Sequence, residues 1–352
     1  MSPIAINKIA QSRLGATDWE QAPFGTLFSD HLFIAGYLDG QWTQPRIEPY
    51  GALELWPSLS ALHYAQSVFE GLKAFRQDDG RVVLFRPEAN AARFNRSLTR
   101  LAMPTVPEEL FLDALGQLVA LDAAWVPPAD KGALYIRPFA FGADEGIRAR
   151  PADRYLFLII TCPVGPYYDK PVRVRTIPQF VRAFEGGTGD VKPAGNYAPA
   201  MLAEQQARAA GADSVLWLDG REHRYVEECG VMNVFFVIDG TVVTPALGGT
   251  ILPGITRDSI ITLLRDKGYT VEERRVPIEE VFEAGERGTL QEAFGAGTAA
   301  VVSEISGIMH EGHAIHLPPV DKWTVAPYAK THLADLRRGK VEDTHGWIVA
   351  VE

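Results

Sequence analysis

Cysteine is nearly absent. The 352-residue chain has two, Cys162 and Cys229, far apart and outside any C-x-x-C pair. That excludes a disulfide framework and makes a reducing compartment the simpler setting. Long apolar runs are missing as well. The longest, Tyr155–Val164, covers about half of the ~20 residues that a membrane helix needs, and it reads as a buried strand. The first turns of the chain carry scattered charges and no apolar stretch of the signal-peptide kind, so a cytoplasmic protein off the membrane is expected. Basic residues do not dominate either: 34 Lys and Arg stand against 44 Asp and Glu, a formal net charge of −10. Phosphate backbones need clustered cations, so nucleic acid is not the expected partner. Internal repeats and low-complexity tracts are lacking too.

What remains is an ordinary globular mixture, 47% apolar and 22% charged, long enough for two domains. Strand-like and helix-like runs are interspersed, which predicts a mixed α/β (α+β) chain. Leu32–Leu38, Asp39-Gly40 and Gln41-Trp42 read as a hairpin. Arg81–Phe85 reads as a strand, Pro87 opens a helix over 88–101, and a second helix covers 107–124. Two strongly apolar strands follow, Ala133–Gly142 and Tyr155–Val164. Three prolines and a glycine in Pro163–Pro171 mark an interdomain connection. The expected division is a smaller N-terminal domain over 1–163, a connection over 164–175 and a larger C-terminal domain over 176–352. In that second domain, helices are expected at 197–210, 256–267 and 328–338, with strands at 172–177, 214–218 and 231–244.

The most unusual segment is Phe184-Glu-Gly-Gly-Thr-Gly-Asp-Val-Lys-Pro-Ala-Gly-Asn-Tyr197, where four glycines surround Lys192. A phosphate-cradling P-loop needs Gly-Lys-Ser/Thr, and here the lysine lies between Val191 and Pro193, so that reading fails. Taken alone, the segment would be a surface loop with a solvated lysine.

The wider pattern changes this. The segment resembles the cofactor-lysine region of branched-chain-amino-acid aminotransferases, pyridoxal-phosphate enzymes of fold type IV within the class-IV aminotransferases. Six further motifs follow in that family's order: Leu62–Phe75 with its Val-Phe-Glu-Gly core, Phe85–Arg96, Tyr135-Ile-Arg-Pro138, Glu228-Cys-Gly-Val-Met-Asn233, Leu252-Pro-Gly-Ile-Thr-Arg257 and Phe294-Gly-Ala-Gly-Thr-Ala-Ala300. Any one is weak; together and in order they are specific. The resemblance implies a two-domain homodimer with the cofactor in the interdomain cleft.

It also implies roles. Lys192 resembles the lysine that holds pyridoxal 5′-phosphate as a Schiff base and, once freed, moves the proton between substrate Cα and C4′. Glu228 matches the carboxylate that keeps the ring nitrogen protonated, with adjacent Glu227 as its rival. Tyr197 matches the partner of the ring hydroxyl. Arg93 matches the phosphate arginine, beside Arg86, Arg96 and Arg100, and Ile255 and Thr256 stand at a helix N-terminus suited to an anion. Thr298 adds a hydroxyl, and the Thr298–Ala299 amides suit a substrate carboxylate. Tyr64, Phe69, Tyr135 and Tyr167 match aromatic pocket positions, and Arg137 the arginine for a second carboxylate. The expected substrates are leucine, isoleucine or valine with their 2-oxo acids, and glutamate with 2-oxoglutarate.

Two departures from the family pattern stand out. Ala300 and Ser303 occupy positions where some members carry a redox C-x-x-C pair, and Val231 stands where others have threonine. His310, His313 and His316 are spaced by three, but Glu311-Gly312 between them reads as a hairpin turn, and no metal is expected. Rival readings on the same scaffold are a D-amino-acid aminotransferase and an aminodeoxychorismate lyase. A non-catalytic small-molecule binder would make Lys192 incidental.

Overall fold

The computed structural model describes residues 3–165 and 170–351. The chain forms two compact units. The first comprises residues 1–167, 192–195 and 334–352, and the second 168–191 and 196–333.

In the first unit the elements are β1 (Ala5–Ile6), β2 (His31–Leu38), β3 (Gln41–Pro49), α1 (Ser60–Tyr64), β4 (Ser67–Phe69), β5 (Leu72–Arg76), β6 (Val82–Phe85), α2 (Pro87–Arg100), α3 (Glu108–Leu121), β7 (Ala133–Gly142) and β8 (Tyr155–Val164). The β2–β3 hairpin turns at Asp39 and Gly40, both with positive φ (51° and 83°), the conformation that a two-residue primed turn requires. β7 and β8 pair along their full length, Ala133 opposite Val164 through Gly142 opposite Tyr155. Helices α2 and α3 cover one face of this sheet. Phe94 and Phe111 both meet Phe157 of β8, at ring-centroid distances of 5.6 and 5.9 Å. Pro87 sits at the start of α2, where its missing N–H costs nothing.

The remaining elements are β9 (Val172–Arg175), α4 (Ala200–Ala209), β10 (Ser214–Leu218), β11 (Val226–Cys229), β12 (Met232–Ile238), β13 (Thr241–Pro245), α5 (Ile255–Asp266), β14 (Val271–Arg274), α6 (Ile278–Arg287), β15 (Leu290–Gly297), β16 (Val301–His310), β17 (His313–His316), α7 (Val325–Arg337) and β18 (Ile348–Ala350). The second unit's sheet runs β11-β10-β9-β16-β15-β12, and β11 also pairs with β12, which closes these six strands into a ring. One face of these strands is a single buried apolar cluster to which every strand contributes, Val172, Leu216, Val226, Phe236, Ala293 and Ile305 among them, and the opposite face is apolar as well. Phe235 of β12 stacks on Phe294 of β15 directly opposite, with centroids 5.0 Å apart.

The division expected at 164–175 is more interleaved in the structure, and the first unit is the larger. β18 adds to the edge of the first sheet against β6, and the Arg337 guanidinium lies over the rings of Phe75 and Phe85. The C-terminal tail therefore belongs to the first unit. α4 begins at Ala200, three residues later than expected, because Pro199 disfavours helical geometry in the residue before it. His310 and His313 do flank a hairpin turn between β16 and β17, and His310 Nδ1 lies 2.8 Å from Thr176 Oγ1. Among the described residues, no helix is long and apolar enough to cross a membrane.

The turn joining β10 to β11 is organised by Asp219. Its carboxylate accepts the backbone N–H groups of Arg221, Glu222, Arg224 and Tyr225 at 2.8–3.1 Å. Burial pushes this carboxyl's pKa up, but the four donors outweigh it and hold the group below its ordinary value. A depressed native pKa contributes stability above the unfolded-state value, near ~3.9, and loses it as the pH falls through the native one. Asp219→Asn is therefore expected to lower the unfolding free energy at pH 7 by about 1–3 kcal/mol. Urea titrations should show the gap between variant and wild type narrowing below about pH 4. A gap that persists unchanged in acid would assign the loss to packing.

Candidate active site

Lys192 lies where the chain leaves the second unit after Val191, contributes 192–195 to the first, and returns at Asn196. Backbone bonds secure that excursion. Phe69 N–H donates to Lys192 O at 3.1 Å, and Val68 bridges Pro193. On the other side, Lys192 N–H donates to Ser97 Oγ of α2 at 3.0 Å. The lysine Nζ stands 4.8 Å from the Phe69 ring centroid.

The Phe69-Glu70-Gly71 sequence links β4 to β5, and each residue has a separate task. Phe69 lies under two cations, since the Arg137 guanidinium is 4.4 Å from its centroid. Glu70, wholly buried, grips Arg93 with two parallel bonds, Nε to Oε1 at 2.6 Å and Nη2 to Oε2 at 2.8 Å. Gly71 makes room: a Cβ there would stand 2.2 Å from the Tyr135 hydroxyl. That hydroxyl accepts from Arg137 Nη2 at 2.9 Å, and the Tyr135 ring meets Phe24 edge-on at 5.1 Å. The structure thus gathers Lys192, Phe69, Tyr135 and Arg137, all expected site residues, on one side of β7.

Tyr64 is not in that group. It ends α1, is exposed, and its hydroxyl donates to Ile147 O at 3.1 Å. Tyr167 lies outside the described residues.

In the second unit, Glu228 and Asn233 sit opposite each other on β11 and β12. Glu228 Oε1 accepts from Leu252 N–H at 2.7 Å, and the Asn233 amide donates to Leu252 O at 2.9 Å. Both polar groups of Leu252 are therefore held, which places the Leu252-Pro-Gly-Ile-Thr segment and the start of α5. Gly254 is the helix N-cap and offers no side-chain cap; a Cβ there would collide with Asn233 Oδ1 at 2.0 Å. Ile255 and Thr256 occupy the first turn, the end of a helix that attracts anions. Arg182 Nε stands 3.2 Å from Glu228 Oε2, with the carboxylate buried and the arginine largely so. Glu227 points the other way. Its Oε1 meets Thr250 Oγ1 at 2.5 Å, and burial pushes its pKa up.

Tyr197 is half-buried just beyond a short 3-10 turn. That turn is pinned by Asn196, which donates to Thr188 O and Val191 O at 2.7 and 3.2 Å. Thr298 and Ala299 form the half-buried turn between β15 and β16. Among the described residues, no three His, Cys, Asp or Glu side chains are grouped to hold a metal ion. Sequence alone does not mark Glu70, Ser97 or Arg182. Glu70 lies within the Val-Phe-Glu-Gly motif and Ser97 one turn after Arg93, but only the tertiary contacts give them a task.

Residues 67–308 match the family Amino-transferase class IV, and the chain belongs to it. The class is that of pyridoxal-phosphate-dependent transaminases of fold type IV. Within it, branched-chain-amino-acid transaminase 1 of Bacillus subtilis (strain 168) is 46% identical over 333 residues, covering 93% of this chain and 94% of that protein. The branched-chain-amino-acid aminotransferase of Mycolicibacterium smegmatis is 44% identical over 92% of this chain and 91% of its own. Among solved structures, the branched-chain aminotransferase of Thermoproteus uzoniensis with norvaline superposes with a TM-score of 0.74 at 25% identity, covering 91% of this chain and 100% of its own. The branched-chain amino acid aminotransferase of Thermobaculum terrenum in its PLP form also gives 0.74 at 25% identity, over 91% of this chain and 98% of its own. The chain is a branched-chain-amino-acid aminotransferase by family.

The residues present suit the cofactor that the family implies. A phosphate dianion needs a cation or backbone donors; the first unit offers the buried Arg93, and the second, separately, the N-terminal turn of α5. A ring nitrogen held protonated needs a buried carboxylate, and Glu228 is one.

The Glu70–Arg93 pair generates a test. Breaking a buried pair strands one charge, typically at a cost of 3–5 kcal/mol. Because Gln keeps the shape, Glu70→Gln is expected to cost about 2–4 kcal/mol in urea unfolding of the cofactor-free protein. Glu54→Gln, at an exposed loop position, should stay within about 0.5 kcal/mol. Equal small effects would show that Arg93 finds other partners.

Proposed function

We propose that this chain, as a homodimer, moves the amino group between leucine, isoleucine or valine and 2-oxoglutarate, with pyridoxal 5′-phosphate carried as a Schiff base on Lys192. The observation that carries the reading is the group around Lys192. An aromatic surface made by Phe69 and Tyr135 lies beside the lysine, with one guanidinium resting on it. Such a surface accepts an aliphatic side chain, and its cation accepts a carboxylate.

When bound, the cofactor supplies an electron sink for charge developing at the substrate Cα. The other tasks fall to the chain. Lys192 Nζ, once released, takes the proton from substrate Cα. Arg93, Ile255, Thr256 and Thr298 bind phosphate. Glu228 holds the ring nitrogen's proton, with Arg182 Nε 3.2 Å from its other oxygen. Tyr197 donates to the ring oxygen. The Thr298–Ala299 amides orient the substrate α-carboxylate.

Arg137 explains how one pocket serves two substrates. With an aliphatic side chain bound, its Nη2 stays on the Tyr135 hydroxyl; with glutamate, its planar fork turns to the γ-carboxylate.

Two experiments test this reading. Borohydride reduction of the holoenzyme followed by peptide mapping should place the label on Lys192, and Lys192→Ala should fold yet lose nearly all transamination. A label on another lysine would refute the assignment. For the pocket, single-turnover half-reactions followed by cofactor absorbance should show Arg137→Met slowing glutamate at least about tenfold more than leucine, roughly the worth of one charge-assisted hydrogen bond. Equal losses would leave Arg137 as scaffold.

A further inference from the structure

We propose that Ser97 is a positioning residue for the cofactor lysine, its hydroxyl fastening the Lys192 backbone to the helix that carries Arg93. The proposal rests on the reading of Lys192 as the cofactor's anchor.

Ser97 is wholly buried on α2, one helical turn after Arg93. Its hydroxyl proton is committed, since Oγ–H donates to Arg93 O at 3.0 Å. Its lone pairs therefore remain for a donor, and the Lys192 N–H occupies one of them at 3.0 Å. The direction of each bond is fixed, because a backbone N–H can only donate and a carbonyl can only accept. Opposite this contact, Lys192 O accepts from Phe69 N–H. The lysine's peptide groups are thus clamped between α2 on one side and β4 on the other. Glu70 fixes the spacing of the two clamps, being next to Phe69 in sequence and bonded to Arg93.

The clamp answers a physical need. Pro193 cannot donate a backbone hydrogen bond and the preceding stretch is rich in glycine, so the Lys192 N–H and C=O are the peptide groups at this point that can be fastened to α2 and β4. A lysine side chain has four rotatable carbons and loses up to about 2 kcal/mol of rotamer freedom when held. Fixing its Cα leaves only that side-chain freedom to be restricted, so Nζ is presented from one origin. The same serine bonds the arginine assigned to the phosphate, so the covalent and ionic anchors share one frame.

The test uses purified holoenzyme of wild type, Ser97→Ala and Ser97→Cys. Cysteine nearly conserves volume but accepts hydrogen bonds weakly, so it separates bonding from packing. The first readout is the rate at which hydroxylamine strips the cofactor, which depends on how well the lysine holds it. The second is dissociation of pyridoxamine 5′-phosphate after conversion with glutamate, which does not involve a bond to Lys192. Both variants are expected to release cofactor to hydroxylamine about tenfold faster, the worth of one hydrogen bond, while pyridoxamine phosphate dissociation stays within about threefold. Unchanged stripping in both variants overturns the proposal. So does a loss in Ser97→Ala alone with Ser97→Cys like wild type, because packing then explains it. Equal acceleration of both readouts also overturns it, since a general loosening would move them together. If Ser97→Ala does not fold, Ser97→Cys decides by the same two rates. A borohydride label away from Lys192 in the wild type would refute the functional reading itself, whereas a label on Lys192 with unaltered variants refutes only the role of Ser97.

Discussion

A guanidinium buried without a partner costs several kcal/mol, and the first unit meets that cost by pairing Arg93 with Glu70. Much of the candidate site is a consequence of satisfying this one pair. Glu70 cannot turn away without giving up both bonds to Arg93, so the β4–β5 junction is tied to α2. Phe69 is then fixed beside it, and with Phe69 the carbonyl of Lys192. Gly71 follows because the junction runs directly under the Tyr135 hydroxyl. The Phe-Glu-Gly sequence is in this sense a packing solution with one cation at its centre. A hydrophobic pair of the same volume could be as stable, but it would supply no charge for an anion.

The second unit uses a different device to the same end. Glu228 and Asn233 are cross-strand neighbours, and between them they hold both polar groups of Leu252. Their spacing in sequence follows from the two-residue turn Gly230-Val231, which sets Cys229 opposite Met232 and Glu228 opposite Asn233. A carboxylate on a strand thereby sets where a helix begins, and the helix begins with a glycine whose missing Cβ is what lets Asn233 approach. Arg182 Nε lies 3.2 Å from the second oxygen of that carboxylate, so Glu228 is buried beside a guanidinium. Glu227, one residue earlier, is bonded to a threonine hydroxyl instead, and burial raises its pKa. Alternation along a strand gives two adjacent glutamates opposite characters.

Legibility in the sequence tracks how local the cause is. β7 and β8 are readable because both are apolar along ten residues, and α2 because Pro87 opens it and Ala91, Phe94 and Leu98 recur at helical spacing. α6 is not. Ile278, Val281 and Ala284 are its buried side chains, in a run otherwise dominated by glutamate. α7 starts at Val325, earlier than its own residues announce, because the Glu292 carboxylate on β15 accepts the N–H groups of Thr324, Val325 and Ala326. A cap supplied from another strand leaves no trace near the helix. The tail's membership of the first unit is hidden for the same reason, since β18 is only three residues long and gains its meaning from β6. Of the candidate site, Phe69, Tyr135, Arg137 and Lys192 are brought together by β-pairing that their motifs already imply. Ser97 and Arg182 act through partners far along the chain, beyond the reach of any spacing argument.

The arrangement at Arg137 bears on how the proposed pocket can be apolar and cationic at once. A guanidinium in water would resist leaving it, but here its face rests on Phe69 and Tyr135, which a planar, weakly hydrated cation tolerates well. One of its donors is satisfied by the Tyr135 hydroxyl, while Nε is buried with no hydrogen-bond acceptor among the described residues. An unsatisfied buried donor costs about 1–3 kcal/mol. The site therefore holds a cation that is stable enough to persist beside an aliphatic ligand and incompletely satisfied, so a carboxylate gains more there than in water. Lysine in that place would present a strongly hydrated point charge with no flat face to lay on the rings. If the proposed pocket takes both an isobutyl group and a carboxylate, arginine rather than lysine at 137 and tyrosine rather than phenylalanine at 135 are the residues that such a surface needs.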